Sequence, residues 1–562
     1  MKPALRLTIA AFGLAAFNLA IVTTTAQVVN IPDPGLNAAV RTTLGKPTGE
    51  ISVADMESLT TLDASRAVRG ESAPMIGSLQ GLEAGRNLME LNLSGTGPRG
   101  GTRNLSTTDL SAITALGSLT TLHLGANGLT EFILPPQLTN LTTLSLAGNQ
   151  LTALSLSQAS PTLMNLDLSG NRLATLSIPS ELTHFASLDL SANDATNLIV
   201  LGTPSTLTTL LLGENHLTDL LFLNKATQLR VLNISANYLG SVSLPNDLTN
   251  VTYLDCSDND LTQLTLPLGL GDLGELYLSG NRLTNFGFLS GLTHLTTLYL
   301  GNNDLRAFTI PEGLSGLTTL WLCGNRLADF SCLNGLTNLT TLFLGENQLT
   351  SLTLPEGLTR LTTLHLTHNY LSTLALPTRL TNVTTLDLAD NRLTDASFLS
   401  GLTNLRGLDL RWNQLATLTL PADLTSLIAL YLNGNQLTSL TLPAGLTNLT
   451  TLTVNNNLLT SLILPEGLTS LMELNLGDNP LTYVAMPAWT DLDALLIEGF
   501  PEEGVVFHAG SVKLQSGVLQ WTHGILQFAR NANGPWMDLP AASPMPLSPV
   551  GERGFFRVKI EQ

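Results

Sequence analysis

The sequence predicts a solenoid in which one short β-strand recurs in every turn of a continuous coil. Three observations predict it. Seventeen asparagines, from Asn127 to Asn479, follow one another at an unbroken interval of 22 residues. Around each stands the pattern L-x-L-x-x-N-x-L, as in Leu122, Leu124, Asn127 and Leu129, with further apolar positions at Phe132, Leu134, Leu138 and Leu141. Hydrophobic residues make up 43% of the chain while aromatic residues are 5% and charged residues 12%, the balance of a leucine core closed by neutral turns.

Taken in order, residues 1–26 read as an export signal. Lys2 and Arg6 form a positive start, an apolar stretch runs from Leu7 to Val22, and Thr24-Thr25-Ala26 offers small residues for cleavage. The alternative is a membrane anchor, although the stretch is shorter than the roughly 20 residues a span requires. No second membrane candidate follows, so the mature chain is expected to make no membrane insertion. Residues 27–58 read as a cap. Asp33-Pro34 followed by Leu36, Ala39, Val40 and Leu44 suits a short amphipathic helix with an aspartate cap and proline at its first position. Such a helix would cover the open end of the core.

Residues 59–121 are expected to hold irregular coils, with Leu62 and Leu91 equivalent to Leu122 but separated by longer intervals, and with an insertion over Gly97 to Arg103. Residues 122–490 carry the regular array. The alternation Leu122-His123-Leu124 marks a strand with its middle residue facing solvent. The asparagine amide both donates and accepts, so it can satisfy backbone groups left open where the chain leaves the strand. Each coil buries too little apolar surface to offset the entropy of ordering its own backbone, so stability must come from neighbours above and below. Most coils then place proline at the opposite turn, as at Pro135, Pro245, Pro311, Pro355 and Pro443. Others place leucine there (Leu223, Leu289, Leu333, Leu399) after Phe222, Phe288, Cys332 or Phe398, and a more helical turn is expected in those. Residues 491–562 change character. Trp521, Phe528, Trp536, Phe555 and Phe556 enter short alternating runs between turn residues, which reads as a small β-rich C-terminal module.

With LxxLxLxxNxL at a fixed period of 22, the chain resembles the bacterial leucine-rich repeat, and in particular the secreted internalin-like proteins. The segment from Ile31 to Pro47 is similar to their helical N-terminal caps. The resemblance implies a leucine-rich-repeat solenoid with a right-handed, curved parallel β-sheet on the concave face and short extended or 3-10 turns on the convex face. The tail faintly resembles a truncated fibronectin-type-III-like module. Fold alone does not name a ligand.

The solvent-facing strand centres form one column, which includes Asp255, Tyr277, Tyr299, Trp321, Phe343, His365, Asp387, Asp409 and Tyr431. Tyr277, Tyr299, Trp321, Phe343 and His365 are consecutive, so they are expected to form a ladder of rings at roughly the 4.8 Å strand spacing. Acidic residues border it, and the column two residues on is small, as at Gly301 and Gly345. Exposed contiguous aromatics rimmed by polar groups suit a protein ligand. A glycan is the other ligand class, and cross-strand stabilisation or a cell-surface spacer is the structural alternative.

The formal charge of −18 argues against nucleic acid. His365, His368, Asp387 and Asp390 are metal-capable residues on adjacent coils, with solvated turn residues the simpler reading, and no metal or other cofactor is expected. Cys256 and Cys332 fall in inward columns, whereas Cys323 beside Trp321 is either a reactive thiol or an incidental small residue. No nucleophile elbow, phosphate loop or zinc-protease helix is present, so a binding protein of the cell envelope or exterior is expected, not an enzyme.

Overall fold

The computed structural model describes residues 27–97, 101–156, 161–200, 206–485 and 496–498, together with the backbone of six strands between 512 and 559. The expected export segment lies outside these residues. The chain forms two compact units. The first comprises Met1–Leu129, Leu134–Asn149 and Gln158–Ser160; the second comprises Thr130–Ile133, Gln150–Ser157 and Pro161–Gln562.

In the first unit the expected helix spans Pro34–Leu44. Asp33 Oδ1 accepts from the Leu36 N–H at 2.9 Å, and Oδ2 accepts from the Gly77 N–H at 2.7 Å. One carboxylate thus caps the helix and ties it to the coil it covers. Gly45 ends the helix at φ 62°, a left-handed conformation that favours glycine. A second helix, Val53–Glu57, starts at a reciprocal Ser52–Asp55 capping box that sequence reading passed over. Parallel strands Thr61–Asp63, Glu90–Asn92 and Thr121–His123 then align Leu62 with Leu91 and Leu91 with Leu122, as expected despite the uneven spacing.

The second unit carries sixteen parallel strands of one sheet, from Asn165–Asp167 to Leu496–Glu498. Consecutive coils pair without slippage: Leu276 faces Leu298, Leu298 faces Leu320, and Leu320 faces Leu342. The last rung extends one coil past the end of the strict asparagine period, Glu473 pairing with Leu496.

Two polar ladders hold the stack. Asn303 is typical of the first: its Nδ2 donates to the carbonyls of Leu278 at 2.9 Å and Leu300 at 3.3 Å, while its Oδ1 accepts from the Leu283 N–H at 3.2 Å. Each such amide links two coils, gives a buried N–H its acceptor and shares its carbonyls with the amides on either side. Asn104, outside the strict period, joins in the first unit by donating to Ala64 O and Leu93 O. The second ladder is made of threonines. Thr318, Thr340, Thr362 and Thr384 each donate a hydroxyl to the carbonyl one coil earlier, at 2.9–3.2 Å.

The two turn types on the opposite side separate as the sequence predicts. Most proline coils form short strand pairs, such as Ser351–Thr353 with Thr373–Ala375, whereas the Pro311 coil, which lies between two leucine coils, stays irregular. The leucine coils form 3-10 turns at Leu221–Lys225, Gly287–Leu289, Ser331–Leu333 and Ser397–Leu399. A local cause accompanies the switch. Asp219, Asn285, Asp329 and Asp395 each accept from the N–H two residues on, an Asx turn that bends the chain out of the extended conformation.

Beyond the sheet the tail is antiparallel. Val512–Gln515 pairs with Val518–Trp521, and Ile525–Ala529 pairs with Phe555–Lys559.

Candidate ligand-binding surface

Strand register brings the ring-bearing residues together. Tyr277 faces Tyr299, Tyr299 faces Trp321, Trp321 faces Phe343 and Phe343 faces His365. Their ring centroids are 4.8, 5.4, 4.2 and 4.5 Å apart in that order. From Tyr299 to His365 the rings are stacked, with interplanar angles of 12°, 29° and 11°. Each ring therefore spends its faces largely on its neighbours and turns an edge outward, and all five residues are half-buried. The backbone holds the spacing: the Leu278, Leu300, Leu322 and Leu344 N–H groups donate to the carbonyls of Tyr299, Trp321, Phe343 and His365 at 2.8–2.9 Å.

Two features extend this picture. Tyr253 continues the stack at its lower end, 5.3 Å from Tyr277, although it belongs to a different strand column. A column-by-column reading could not find it, because the ring reaches across columns. The Tyr277 hydroxyl donates to Glu275 Oε2 at 2.8 Å, and burial together with Glu275 pushes its pKa well above the usual tyrosine value. Burial first, then Asp255 and Glu275, also raise Tyr253. The lower end of the stack is thus a set of neutral phenols braced by carboxylates.

The flanking acids are held locally. Asp255 Oδ1 accepts from the Ser257 N–H at 2.9 Å and its hydroxyl at 2.6 Å. Asp387 accepts from the Ala389 N–H at 3.1 Å, and its other oxygen lies 3.3 Å from His365 Nδ1. Asp409 accepts from Arg411 Nε at 2.9 and 2.8 Å and forms an ion pair with the same guanidinium. Asp409 is only 9% exposed, so its charge is turned toward Arg411 instead of toward a ligand. Tyr431 sits outside the stack, with the Arg411 guanidinium 5.5 Å above its ring. Arg411, which sequence reading did not single out, is the element that ties Asp409 and Tyr431 together.

The four metal-capable residues form two separate pairs. His365 bonds Asp387, and His368 Nδ1 lies 2.5 Å from Asp390 Oδ2. Among the described residues no three histidine, cysteine or acidic groups converge on one point. Cys323 does not behave as an activated thiol: burial pushes its pKa up to about 12, which suppresses the thiolate at neutral pH.

Family models match along the array: Leucine Rich repeats (2 copies) over residues 272–316, 315–355, 337–378 and 381–426, BspA type Leucine rich repeat region (6 copies) over 410–492, and Leucine Rich Repeat over 162–185. An internalin (inlF) from Listeria monocytogenes is similar at 26% identity and a TM-score of 0.50, over 69% of this chain and 98% of that one. The chain is a leucine-rich-repeat protein. This leucine-rich-repeat protein is also similar to one from Leptospira interrogans, at 26% identity and a TM-score of 0.52, over 68% and 92% of the two chains. YopM from Yersinia enterocolitica shares the fold at 24% identity and a TM-score of 0.53, over 81% and 100%. No curated protein matches the leucine-rich-repeat protein. Among its described residues, no helix is long and apolar enough to cross a membrane.

Proposed function

We propose that this leucine-rich-repeat protein is an exported, non-catalytic binding protein that takes a protein ligand across the ring stack of its sheet. The observation that carries the reading is the orientation of the rings. A sugar packs against the flat face of an aromatic ring, but both faces of Trp321 and Phe343, and one face each of Tyr299 and His365, are covered by stacked neighbouring rings. What is left outward is a ridge of ring edges, apolar at Phe343 and bearing polar atoms at Tyr299, Trp321 and His365, the mixed surface that packs against and hydrogen-bonds side chains of another protein. Gly301 seats the central ring of that ridge, since a Cβ there would stand 2.9 Å from Cδ1 and Nε1 of Trp321. Export is supported by the basic and apolar pattern of residues 1–26 and by the resemblance to internalins.

The test is the variant carrying Tyr299→Ser, Trp321→Ser and Phe343→Ser. It should keep its thermal transition within a few degrees yet lose saturable capture of its partner from extracellular and envelope fractions. A variant that unfolds would favour the alternative in which the stack only stabilises a surface spacer. Retained capture by a folded variant would remove the ridge from the binding site.

A further inference from the structure

Trp412 stands outside the ring stack, immediately before the ladder residue Asn413. That position is left-handed in the regular coils, and Trp412 adopts it with φ 53°. Most of its counterparts are glycine, alanine, asparagine or an acid, and a bulky ring is poorly suited to the conformation. Burial does not offset that strain, because the residue is 55% exposed. Backbone strain combined with an exposed aromatic is a pointer to function.

The indole lies on Gly434. A Cβ at that glycine would stand 2.5, 2.3 and 2.7 Å from Cδ2, Cε3 and Cζ3 of Trp412. These three atoms are bonded in a row, so distances this similar put the point above the ring and not beyond its edge. One face of the indole therefore rests on glycine backbone, and the exposure belongs to the other. This is the reverse of the ring stack, where faces are covered and edges are free.

Nearby aromatic rings are capped by guanidinium groups of the chain itself. Arg392 lies 4.6 Å over Tyr370, and Arg411 lies 5.5 Å over Tyr431. Trp412 has no ring or cation partner among the described residues. A carboxylate adjoins it: Asp390 occupies the same position one coil earlier, bonded to His368 Nδ1 with its side chain still 56% exposed, and the Trp412 carbonyl accepts from the N–H of the adjoining Asn391 at 3.2 Å. The neighbouring cation, Arg411, is neutralised by Asp409.

We propose that the exposed face of Trp412 is a binding platform for a cationic side chain, lysine or arginine, of a partner protein. An electron-rich indole face beside a carboxylate favours a cation on both counts. The proposal uses none of the ring-stack residues, so it stands or falls separately from them.

The test titrates the full chain with an oligoarginine peptide, using chitotetraose as the sugar probe, by calorimetry at physiological ionic strength. Trp412→Ala leaves the formal charge unchanged, so it separates the indole from general attraction to an acidic protein. It should weaken oligoarginine binding about threefold to fivefold, Trp412→Phe should retain most of the affinity, and the triple serine variant of the stack should bind as the wild type does. Equal affinity for wild type and Trp412→Ala, or no binding to either, would overturn the proposal. So would chitotetraose binding that depends on Trp412.

Discussion

The indole of Trp321 lies against Gly301, where a Cβ would stand 2.9 Å from both Cδ1 and Nε1 of the ring. The glycine is thus what lets the central ring of the stack take its place between Tyr299 and Phe343. Gly301→Ala should push the indole out of register, destabilise the protein by about 1–3 kcal/mol and change its tryptophan emission. Gly407→Ala on the same sheet meets nothing within 4 Å and serves as the control. An unchanged emission and unfolding midpoint in Gly301→Ala would show that the ring does not depend on this clearance.

Asn303→Ala leaves the buried Leu283 N–H without its acceptor and takes one of two amide donors from the Leu278 and Leu300 carbonyls, which keep Asn281 and Asn325. Each buried group left unpaired costs about 1–3 kcal/mol. The loss in denaturant unfolding should exceed that of Asn479→Ala, whose amide makes matching bonds to Val454, Leu476 and Leu459 but is only partly buried. Equal losses would mean that water replaces the amide as readily inside the array as at its end.

Asp189 gives the clearest pH dependence. Burial, with a smaller push from Asp167, raises its pKa above 3.8, against the hydrogen bonds from Ser191. A carboxyl raised on folding adds stability below its unfolded value and loses that contribution as pH rises through its folded value. Asp189→Asn, which can keep the acceptor for the Ser191 N–H, should therefore be more stable than wild type at neutral pH. That advantage should shrink to nothing as pH falls to 3.8 and below. Thermal melts of the two proteins across acidic pH check the sign, and an advantage that grows on acidification would refute it.

All three thiols should be slow toward a thiol reagent at neutral pH. Burial raises Cys256 and holds Cys323 and Cys332 at about 12. Reaction should accelerate only with denaturant, and rapid labelling of the native protein would contradict the burial of Cys323 beside Trp321.

Much of this architecture is legible in the residues. The 22-residue interval determines which side chains become neighbours, because any residue one period away lies on the next rung. Asp33-Pro34 marks the capping helix, and leucine in place of proline marks the 3-10 coils. Tyr253, Asn104 and Arg411 were hidden for different reasons. Tyr253 joins the stack by crossing columns, Asn104 lies off the period beside an insertion, and Arg411 matters through a side-chain pair that spacing does not encode.

The sequence by itself determined the coil, its register and the identity of the residues on the exposed sheet, since periodicity is a one-dimensional property that survives folding. Only the tertiary structure decided which way each ring faces: edge-out at Trp321 and Phe343, where stacked rings cover both faces, and face-out at Trp412, where Gly434 supplies a bare floor. Ring orientation depends on the volume left by residues one coil away, and that volume exists only once the coils have stacked.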